Sequence, residues 1–218
     1  MLRRKRFWFA IMAILPTFAI FGWVRLFPII ETLRLSMHQW NLLSKNKPFV
    51  GFQNFIELFG DNQFLDALTN TAVIAFGAMA VTIPMSMGLA AIIYHRTRSR
   101  FAGFYETAVF IPHVVSLVPA AMAWKWIFDA KLGPLNALIM GLGGDALPWL
   151  FDPVLSVICI IFLVSWQTLG YGVLIYLVGF RNLPKSVFEA AQLDGANGLQ
   201  SFLHMSVPLL KPITLYVS

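Results

Sequence analysis

Long apolar runs alternate along this sequence with short polar stretches that hold most of its charged residues. The segments 67–94 and 153–180 contain no charged residue. A run of about 20 mostly apolar residues is long enough to cross the hydrocarbon core of a bilayer as a helix. The pattern predicts four complete helical spans and the start of a fifth, at about 7–30, 68–94, 104–127, 153–180 and 207–218.

The composition is that of a membrane protein. Of the 218 residues, 58% are hydrophobic and 12% are charged, whereas soluble domains carry about 25% charged residues. The net charge of +6 does not indicate nucleic acid, because the basic residues flank the apolar runs and form no single patch. No small-residue cleavage site follows the first apolar run, so we expect an uncleaved span rather than a signal peptide. These observations predict one all-α, polytopic membrane domain over residues 1–218.

The charges between the spans predict how the chain is oriented. Four cations lie before residue 7 and three lie between 95 and 100, whereas acids outnumber bases in the 129–152 segment. Short cytoplasmic loops are enriched in Lys and Arg. The N-terminus and the loop at 181–206 are therefore both expected on the cytoplasmic side.

The 181–206 loop is polar and broken by glycine, although it joins two apolar runs. Its sequence predicts a helix over about 185–193, a turn at Asp194-Gly195 and a second helix over about 198–206. Such a short helix pair cannot bury its apolar side alone. It is either an elbow packed on its own spans or a surface that binds another protein, and spacing alone favours the elbow.

Part of this loop resembles a family motif. Glu189-Ala190-Ala191, then Gly195, then the stretch MSVP at 205–208 follow the order and spacing of the EAA motif. That motif marks the membrane subunits of ATP-binding-cassette (ABC) importers. The Met and Val of MSVP stand where the motif has Ile and Leu, and such exchanges between apolar residues usually cost little.

Further stretches extend the resemblance to the carbohydrate-importer branch of that family. They are FVGFQNFIELF at 49–59, FIPHVVSLVPAAMAWKWIF at 110–128, LGPLNALI at 132–139 and LGYGVLIYLVGFRNLP at 169–184. Arg181 departs from the branch, which often has Gln there. The resemblance implies the transmembrane domain of a type I ABC importer, multi-pass in a bacterial or archaeal inner membrane. Because the family has a complete fifth span and a sixth, we expect C-terminal spans to be missing from these residues, which should not transport alone.

The resemblance also implies that the 181–206 loop couples the chain to a separate ATPase. The residues expected to make this contact are Glu189, Ala190, Ala191, Asp194, Gly195 and Ala196. Glu189 would contact the ATPase surface, the two alanines would permit close approach, and Gly195 would permit the sharp turn. The implied partners are a second permease subunit, two ATPase subunits and an extracytoplasmic solute-binding protein.

Polar groups inside a span are functional candidates by default. For the solute pathway, the resemblance points to the region of the fourth span that contains Gln167, Leu169, Gly170 and Val173. Small residues also mark close contacts between helices in membranes, so helix packing explains Gly170 equally well.

Two other polar residues of the third span are expected to have structural roles. His113 follows Pro112 and should bond carbonyl groups that this proline frees one turn earlier. Glu106 should form a surface ion pair with Arg98 or Arg100 rather than serve as a proton relay.

The sequence lacks the H-E-x-x-H and G-x-S-x-G patterns, so no catalytic residues and no metal site are expected. It also lacks G-x-x-x-x-G-K-[ST], which places ATP and Mg²⁺ on the partner ATPase and no cofactor on this chain. The prediction is a permease subunit, not an enzyme, that translocates a sugar or sugar-like solute, glycerol-phosphate included. The alternative is an ion-coupled secondary transporter, which needs an ion site near the bilayer midplane. No acid lies in the first, second or fourth span.

Overall fold

In the computed structural model the described residues are 2–40, 47–96 and 102–218, with side chains from residue 7 onwards except at 96 and 102. They form α-helices, and the described residues include no β-strand beyond an isolated bridge between His38 and Phe49. The predicted all-α class is therefore confirmed. Contacts divide the chain into two compact units, Met1–Leu68 and Thr69–Ser218. Whether they form the single predicted domain stays a prediction.

The first unit contains one long apolar helix and one short helix. Helix α1 (Leu2–Phe21) continues through a π-helical turn (Gly22–Leu26) into α2 (Phe27–Ser36). The stretch Phe7–Ser36 is apolar and long enough to span a membrane, so the first span extends beyond its predicted end at residue 30. Helix α3 (Gln53–Gly60) is tied to the end of α2 by Asn54, whose Nδ2 donates to the Ser36 carbonyl at 2.8 Å.

A series of helices continues the chain to its C-terminus. They are α4 (Asn62–Arg96), α5 (Ala102–Val114), α6 (Leu117–Ile127), α7 (Pro134–Gly141), α8 (Pro153–Arg181), α9 (Lys185–Leu193), α10 (Gly198–Ser201), α11 (Val207–Leu209) and α12 (Lys211–Val217), with a π-helical turn (Phe202–Ser206) before α11. In the described parts of the chain three helices are long and apolar enough to cross a membrane, or four if α5 and α6 form one span. The orientation of the N-terminus stays a prediction.

The third predicted span, 104–127, is not one straight helix. Helices α5 and α6 are bent by 92° at the break between them. Ser116 stands at the break with extended backbone (φ −58°, ψ 140°). Pro119 has no backbone N–H and cannot donate a hydrogen bond to the Val115 carbonyl four residues earlier. A continuous helix would make that bond.

The fourth span begins at the Asp-Pro pair and ends close to its predicted boundary. The Asp152 side chain accepts hydrogen bonds from the backbone N–H groups of Val154 and Leu155, and Pro153 occupies the first helical turn. Both features satisfy or remove donors that a helix start leaves unpaired. The helix ends at Arg181, one residue beyond the predicted boundary.

Helices α4 and α8 together supply most of the core of the second unit. Val173, Tyr176 and Leu177 are at most 1% exposed and pack with Ala90 of α4 and with Leu210, which precedes α12. The buried Tyr176 hydroxyl donates to Thr214 Oγ1 at 3.0 Å. This bond satisfies a polar group that would otherwise be costly to bury.

The segment between α6 and α8 is organised around Asn136, which is fully buried. Its Nδ2 donates to the carbonyls of Ala130 and Leu147, each at 2.9 Å. Its Oδ1 accepts from the Leu147 N–H at 3.1 Å and from Trp149 Nε1 at 2.9 Å. One amide therefore uses both its donors and both its acceptor positions to fix a loop that has little regular structure.

Asp129 fixes the start of the same segment. Its Oδ1 accepts from the N–H groups of Leu132 at 2.8 Å and Lys131 at 2.9 Å. These two backbone hydrogen bonds favour the carboxylate and lower the pKa of Asp129 below its ordinary value. Asp129 thus stays charged and continues to hold the turn under mildly acidic conditions.

Substitution of Asn136 by alanine should destabilise the chain strongly. The change leaves the Trp149 indole N–H and the Leu147 N–H without their present partner, and each unpaired buried group costs about 1–3 kcal/mol. We expect a loss of about 3 kcal/mol or more, measured by thermal unfolding in detergent. Asn182→Ala is the matched control, because its exposed amide donates only to Val178 of its own helix. Equal melting temperatures for the two variants would contradict this role of Asn136.

Candidate functional site

The 181–206 loop forms two short helices joined by a tight turn, as predicted. Helix α9 ends at Leu193, and the Ala196 N–H closes its end by donating to the Ala191 carbonyl at 2.9 Å. Gly195 has φ +81°, a left-handed conformation that glycine adopts without the penalty other residues carry. The loop geometry therefore depends on glycine at this position.

The second helix of the loop begins with a capping box that the sequence analysis missed. The Gln200 N–H donates to Asn197 Oδ1, and the Asn197 N–H donates to Gln200 Oε1, both at 2.9 Å. The signal was present in the sequence as Asn followed three residues later by Gln. The helix then passes through the π-helical turn into α11, so it continues beyond the predicted end at 206.

The residues predicted to contact an ATPase do not all face the same way. Glu189, Ala190, Asp194 and Gly195 are exposed and Ala196 is half-buried. Ala191 is only 4% exposed. Its small side chain therefore serves packing within this chain, while the carboxylates of Glu189 and Asp194 are left exposed.

A cavity of about 420 Å³ lies between this loop and the ends of α4 and α8. Its wall includes Tyr94, His95, Phe180, Lys185, Glu189 and Phe202. Tyr94 stacks on Phe180 with ring centroids 5.7 Å apart. The loop thus rests on aromatic side chains at the helix ends rather than extending freely from them.

Helix α5 lies directly against α8 at Gly170. A Cβ atom on Gly170 would overlap the Val109 carbonyl oxygen and would lie 2.9 Å from the Phe110 Cα. Only a residue without a side chain permits this approach between two backbones. Gly170 therefore has the packing role that the sequence analysis left open.

Gln167 joins the fourth span to the break in the third. Its Nε2 donates to the Val115 carbonyl at 3.1 Å. This is the carbonyl that receives no helical hydrogen bond from Pro119. Its own backbone carbonyl accepts from His113 Nδ1 at 3.2 Å. The His113 prediction was thus right about a carbonyl partner and wrong about which one, because the carbonyl belongs to α8 and not to the preceding turn of α5.

The other predicted pathway residues lie away from the exposed side of α8. Val173 is fully buried in the core, Gly170 is buried against α5, and Leu169 is half-buried beside that core. Tyr171, which the prediction did not include, is 37% exposed. It stacks on His113 with ring centroids 5.3 Å apart. The structure thus brings Gln167, His113 and Tyr171 together.

Glu106 pairs with a residue other than the predicted ones. Arg181 Nη2 lies 2.6 Å from Glu106 Oε1, which joins the first turns of α5 to the last turn of α8. Arg98 and Arg100 lie outside the described residues. The sequence could not indicate this pair, because its members lie 75 residues apart in the chain.

Metal ligands do not cluster in the part of the chain that the structure describes: no group of three His, Cys, Asp or Glu side chains could hold an ion. Cys159, the single cysteine of the sequence, is buried in α8.

Comparison with known proteins gives a consistent picture. A family model described as "Binding-protein-dependent transport system inner membrane component" matches residues 80–216. The "Probable ABC transporter permease protein YurN" of Bacillus subtilis is 34% identical over 189 residues, covering 86% of this chain and 65% of the relative. The "Lactose transport system permease protein LacF" of Rhizobium radiobacter is 30% identical over 205 residues, covering 93% and 67%.

Solved structures agree with these relatives. A bacterial ABC transporter involved in the import of the acidic polysaccharide alginate matches with a TM-score of 0.82 and 25% identity, over 98% of this chain and 71% of that one. The alginate transporter in complex with an alginate pentasaccharide-bound periplasmic protein matches with a TM-score of 0.79 and 25% identity, over 96% and 69%. This chain spans 65% of the length of YurN.

The ion pair between Glu106 and Arg181 should contribute modestly to stability. The two side chains are 26% and 52% exposed, and such pairs contribute about 0.2–1 kcal/mol. A double-mutant cycle with Glu106→Gln and Arg181→Gln should therefore give a coupling energy of about 0.5 kcal/mol that falls as salt is added. The control cycle pairs Glu106→Gln with Lys185→Gln. Equal coupling energies in the two cycles would exclude a specific pair.

Proposed function

Because this chain belongs to the family of binding-protein-dependent transport system inner membrane components, we propose that it is a permease subunit of an ATP-driven importer for a sugar. Members of this family are transport components of the membrane and not enzymes. The single observation that carries the proposal is the exposed 181–206 loop, turned at Gly195, within the region that the family model matches.

The sugar class is supported by the similar proteins. LacF is named for lactose transport, and the structurally similar importer carries the polysaccharide alginate. Both are carbohydrates, so a carbohydrate is the solute class we propose for this chain. Glycerol-phosphate would be a narrower assignment of the solute. A permease named for sn-glycerol-3-phosphate transport is also similar to this chain.

The 181–206 loop is proposed to bind the ATPase through Glu189, Ala190, Asp194, Gly195 and Ala196, with Ala191 seating α9 on its own chain. Four of these five residues are exposed, and Glu189 and Asp194 add negative charge. A basic groove on the ATPase would complement that charge. ATP and Mg²⁺ would bind there, because this sequence has no phosphate-binding pattern.

The assembly we propose contains a second permease subunit, two ATPase subunits and an extracytoplasmic solute-binding protein. The last of these is supported by the alginate transporter, whose structure includes a periplasmic protein carrying a pentasaccharide. We propose that Gln167, Leu169, Gly170 and Val173 belong to the solute pathway. Gln167 and Leu169 are half-buried, whereas Gly170 and Val173 are buried within the chain and would act on the pathway only by positioning α8.

Reconstitution tests the proposed function directly. The full-length subunit, assembled with its partners in proteoliposomes, should accumulate a sugar from a neutral sugar panel when ATP and the loaded binding protein are supplied. An imposed proton or sodium gradient without ATP should give no uptake. Uptake driven by the gradient alone would overturn the proposal.

Gly195→Val should uncouple ATP hydrolysis from transport. A branched side chain at φ +81° is strained, by roughly 1–2 kcal/mol, and so distorts the turn without affecting the spans. We expect normal membrane insertion, retained ATPase activity and loss of sugar uptake in proteoliposomes. Gly198→Val is the matched control, because Gly198 has no positive φ and, like Gly195, no neighbour within 4 Å of an added Cβ. Wild-type uptake by Gly195→Val would contradict the assigned role of the turn.

A further inference from the structure

Helix α3, which follows the first span, carries an exposed apolar face. Phe52 at its N-cap and Ile56 and Phe59 within it are spaced by four and three residues, so they share one side of the helix. Their side chains are 68%, 72% and 62% exposed. No residue that the structure describes covers this face. The face is therefore open to lipid, water or another protein.

The other sides of α3 are polar or are bound to the end of the first span. Gln53 Nε2 donates to Glu57 Oε1 at 2.8 Å on the exposed surface of the helix. Asn54 lies opposite the apolar face, since two residues turn a helix by about 200°. Its Nδ2 donates to the carbonyls of Ser36 at 2.8 Å and His38 at 3.0 Å. Helix α3 is thus amphipathic and is held by its polar side.

Backbone hydrogen bonds also hold the segment that joins the first span to α3. The N–H groups of Val50 and Gly51 donate to the Met37 carbonyl at 2.9 Å and 3.1 Å. The Gln39 N–H donates to the Pro48 carbonyl at 3.0 Å. Gly51 has φ +59°, which glycine adopts without steric cost and which turns the chain into α3. Side-chain and backbone bonds therefore fix the level of α3 relative to the end of the span.

Charged side chains show where the first span leaves the hydrocarbon. Glu31 and Arg34 form an exposed ion pair at 3.0 Å, which would be costly inside the bilayer. Arg25 lies deeper, but its long side chain can extend toward the interface. Ser36, to which Asn54 binds, follows Glu31 by roughly 8 Å along the helix axis. The headgroup region is about 5–8 Å thick on each side of the hydrocarbon core, so α3 is held at the level of the headgroups.

The exposed face is continuous with a lipid-facing surface and is small for a protein interface. The first span has no buried residue in its most apolar window, and Leu33 in its last turns is 61% exposed. Helix α3 has 8 residues and is about 12 Å long, whereas specific protein interfaces use about 20–30 residues on each side. Short amphipathic helices bury such a face at the boundary between headgroups and acyl chains.

The charges near α3 favour neutral headgroups over anionic ones. Between 47 and 68 the sequence contains one cation, Lys47, and three acids, Glu57, Asp61 and Asp66. Helices that bind anionic membranes carry Lys and Arg on their polar side, and this segment has the opposite balance. Attraction to the bilayer would therefore come from the apolar side chains and not from charge.

We infer that α3 is an interfacial anchor, whose side chains Phe52, Ile56 and Phe59 insert at the boundary between headgroups and acyl chains of a bilayer with neutral headgroups. The anchor sets the level at which the first span ends and α4 begins, since only Asp61 separates α3 from α4. It uses none of the residues assigned to the solute pathway or to the ATPase contact, so it does not depend on the proposed function.

Spin labelling tests the anchor in the full-length subunit, assembled with cysteine-free partners in phosphatidylcholine nanodiscs. The native Cys159 is 4% exposed, so a nitroxide reagent reports on an introduced cysteine. A label at Ile56→Cys should collide several-fold more often with oxygen, which concentrates in lipid, than with a water-soluble nickel chelate. Gln53→Cys is the matched control on the polar side of the same helix and should show the reverse order. Preference for the nickel chelate at both positions would overturn the inference.

The same label distinguishes lipid from a protein partner. Another subunit seated on this face would make the label at Ile56→Cys immobile and inaccessible to both reagents. A solute-binding protein seated there would have that effect only after it is added. Either result would contradict lipid contact. The spectra need neither ATP nor a transported solute, so failure of the anchor and failure of the proposed function are measured separately.

Lipid composition tests the charge argument. Addition of phosphatidylglycerol to the nanodiscs should leave the depth of the label at Ile56→Cys unchanged or make it shallower, because acids outnumber cations around α3. Deeper insertion in the anionic membrane would contradict an anchor that prefers neutral headgroups.

Loss of the Asn54 amide should release the helix from its fixed level. Asn54→Ala removes both hydrogen bonds to the end of the first span, so a label at Phe59→Cys should become more mobile and vary more in depth. Gln53→Ala is the control, because it removes only the exposed contact with Glu57, and it should leave the spectrum unchanged. Identical spectra for the two variants would overturn the fixed level that the inference assigns to α3.

Discussion

The close contact between α5 and α8 at Gly170 is the constraint on which the rest of the second unit depends. The absence of a side chain there lets the α8 backbone approach the Val109 carbonyl. That approach brings Gln167 within reach of the Val115 carbonyl and His113 within reach of the Gln167 carbonyl. Larger separation of the two helices would leave both hydrogen bonds unmade. In hydrocarbon no water would replace them.

The same contact connects the membrane interior with the 181–206 loop. Helix α5 contacts α8 through the Glu106–Arg181 ion pair, next to the loop. At the break after α5, the Gln167 side chain donates a hydrogen bond to the Val115 carbonyl. The loop itself is seated on the chain by the buried Ala191 and Ser206. A displacement of the loop would therefore act on α5 and α8 as a pair. Helix α6 contacts α8 separately, where Trp124 packs against Phe162 and Trp166.

Features set by neighbours in the sequence were predictable, and features set by distant residues were not. Asp152 and Pro153 fix the start of α8, and Gly195 follows an Asp in a turn, so each signal lies within a few residues of its effect. The break after Val115 depends on a donor from α8, and the Glu106 ion pair joins residues far apart in the chain. Hydropathy alone predicts one span over 104–127. Two short apolar helices joined at a bend have the same hydropathy as one straight apolar helix, so the profile cannot tell them apart. The pattern therefore predicted the number and place of the apolar segments but could not predict the bend.

The candidate residues of α8 illustrate the same limit. A helix with no charged residue from 153 to 180 gives no sign of which side is covered. Tyr171 and Tyr176 are indistinguishable by residue type and hydropathy, yet one hydroxyl meets Tyr216 at an exposed position and the other meets Thr214 in the core. Glycine at 170 and 172 thins the helix on the sides that face α5 and α4, where an added Cβ would meet Val109 and Ser86. Those two sides are covered by packing against α5 and α4, and hydropathy, which is the same on every side of α8, could not indicate this.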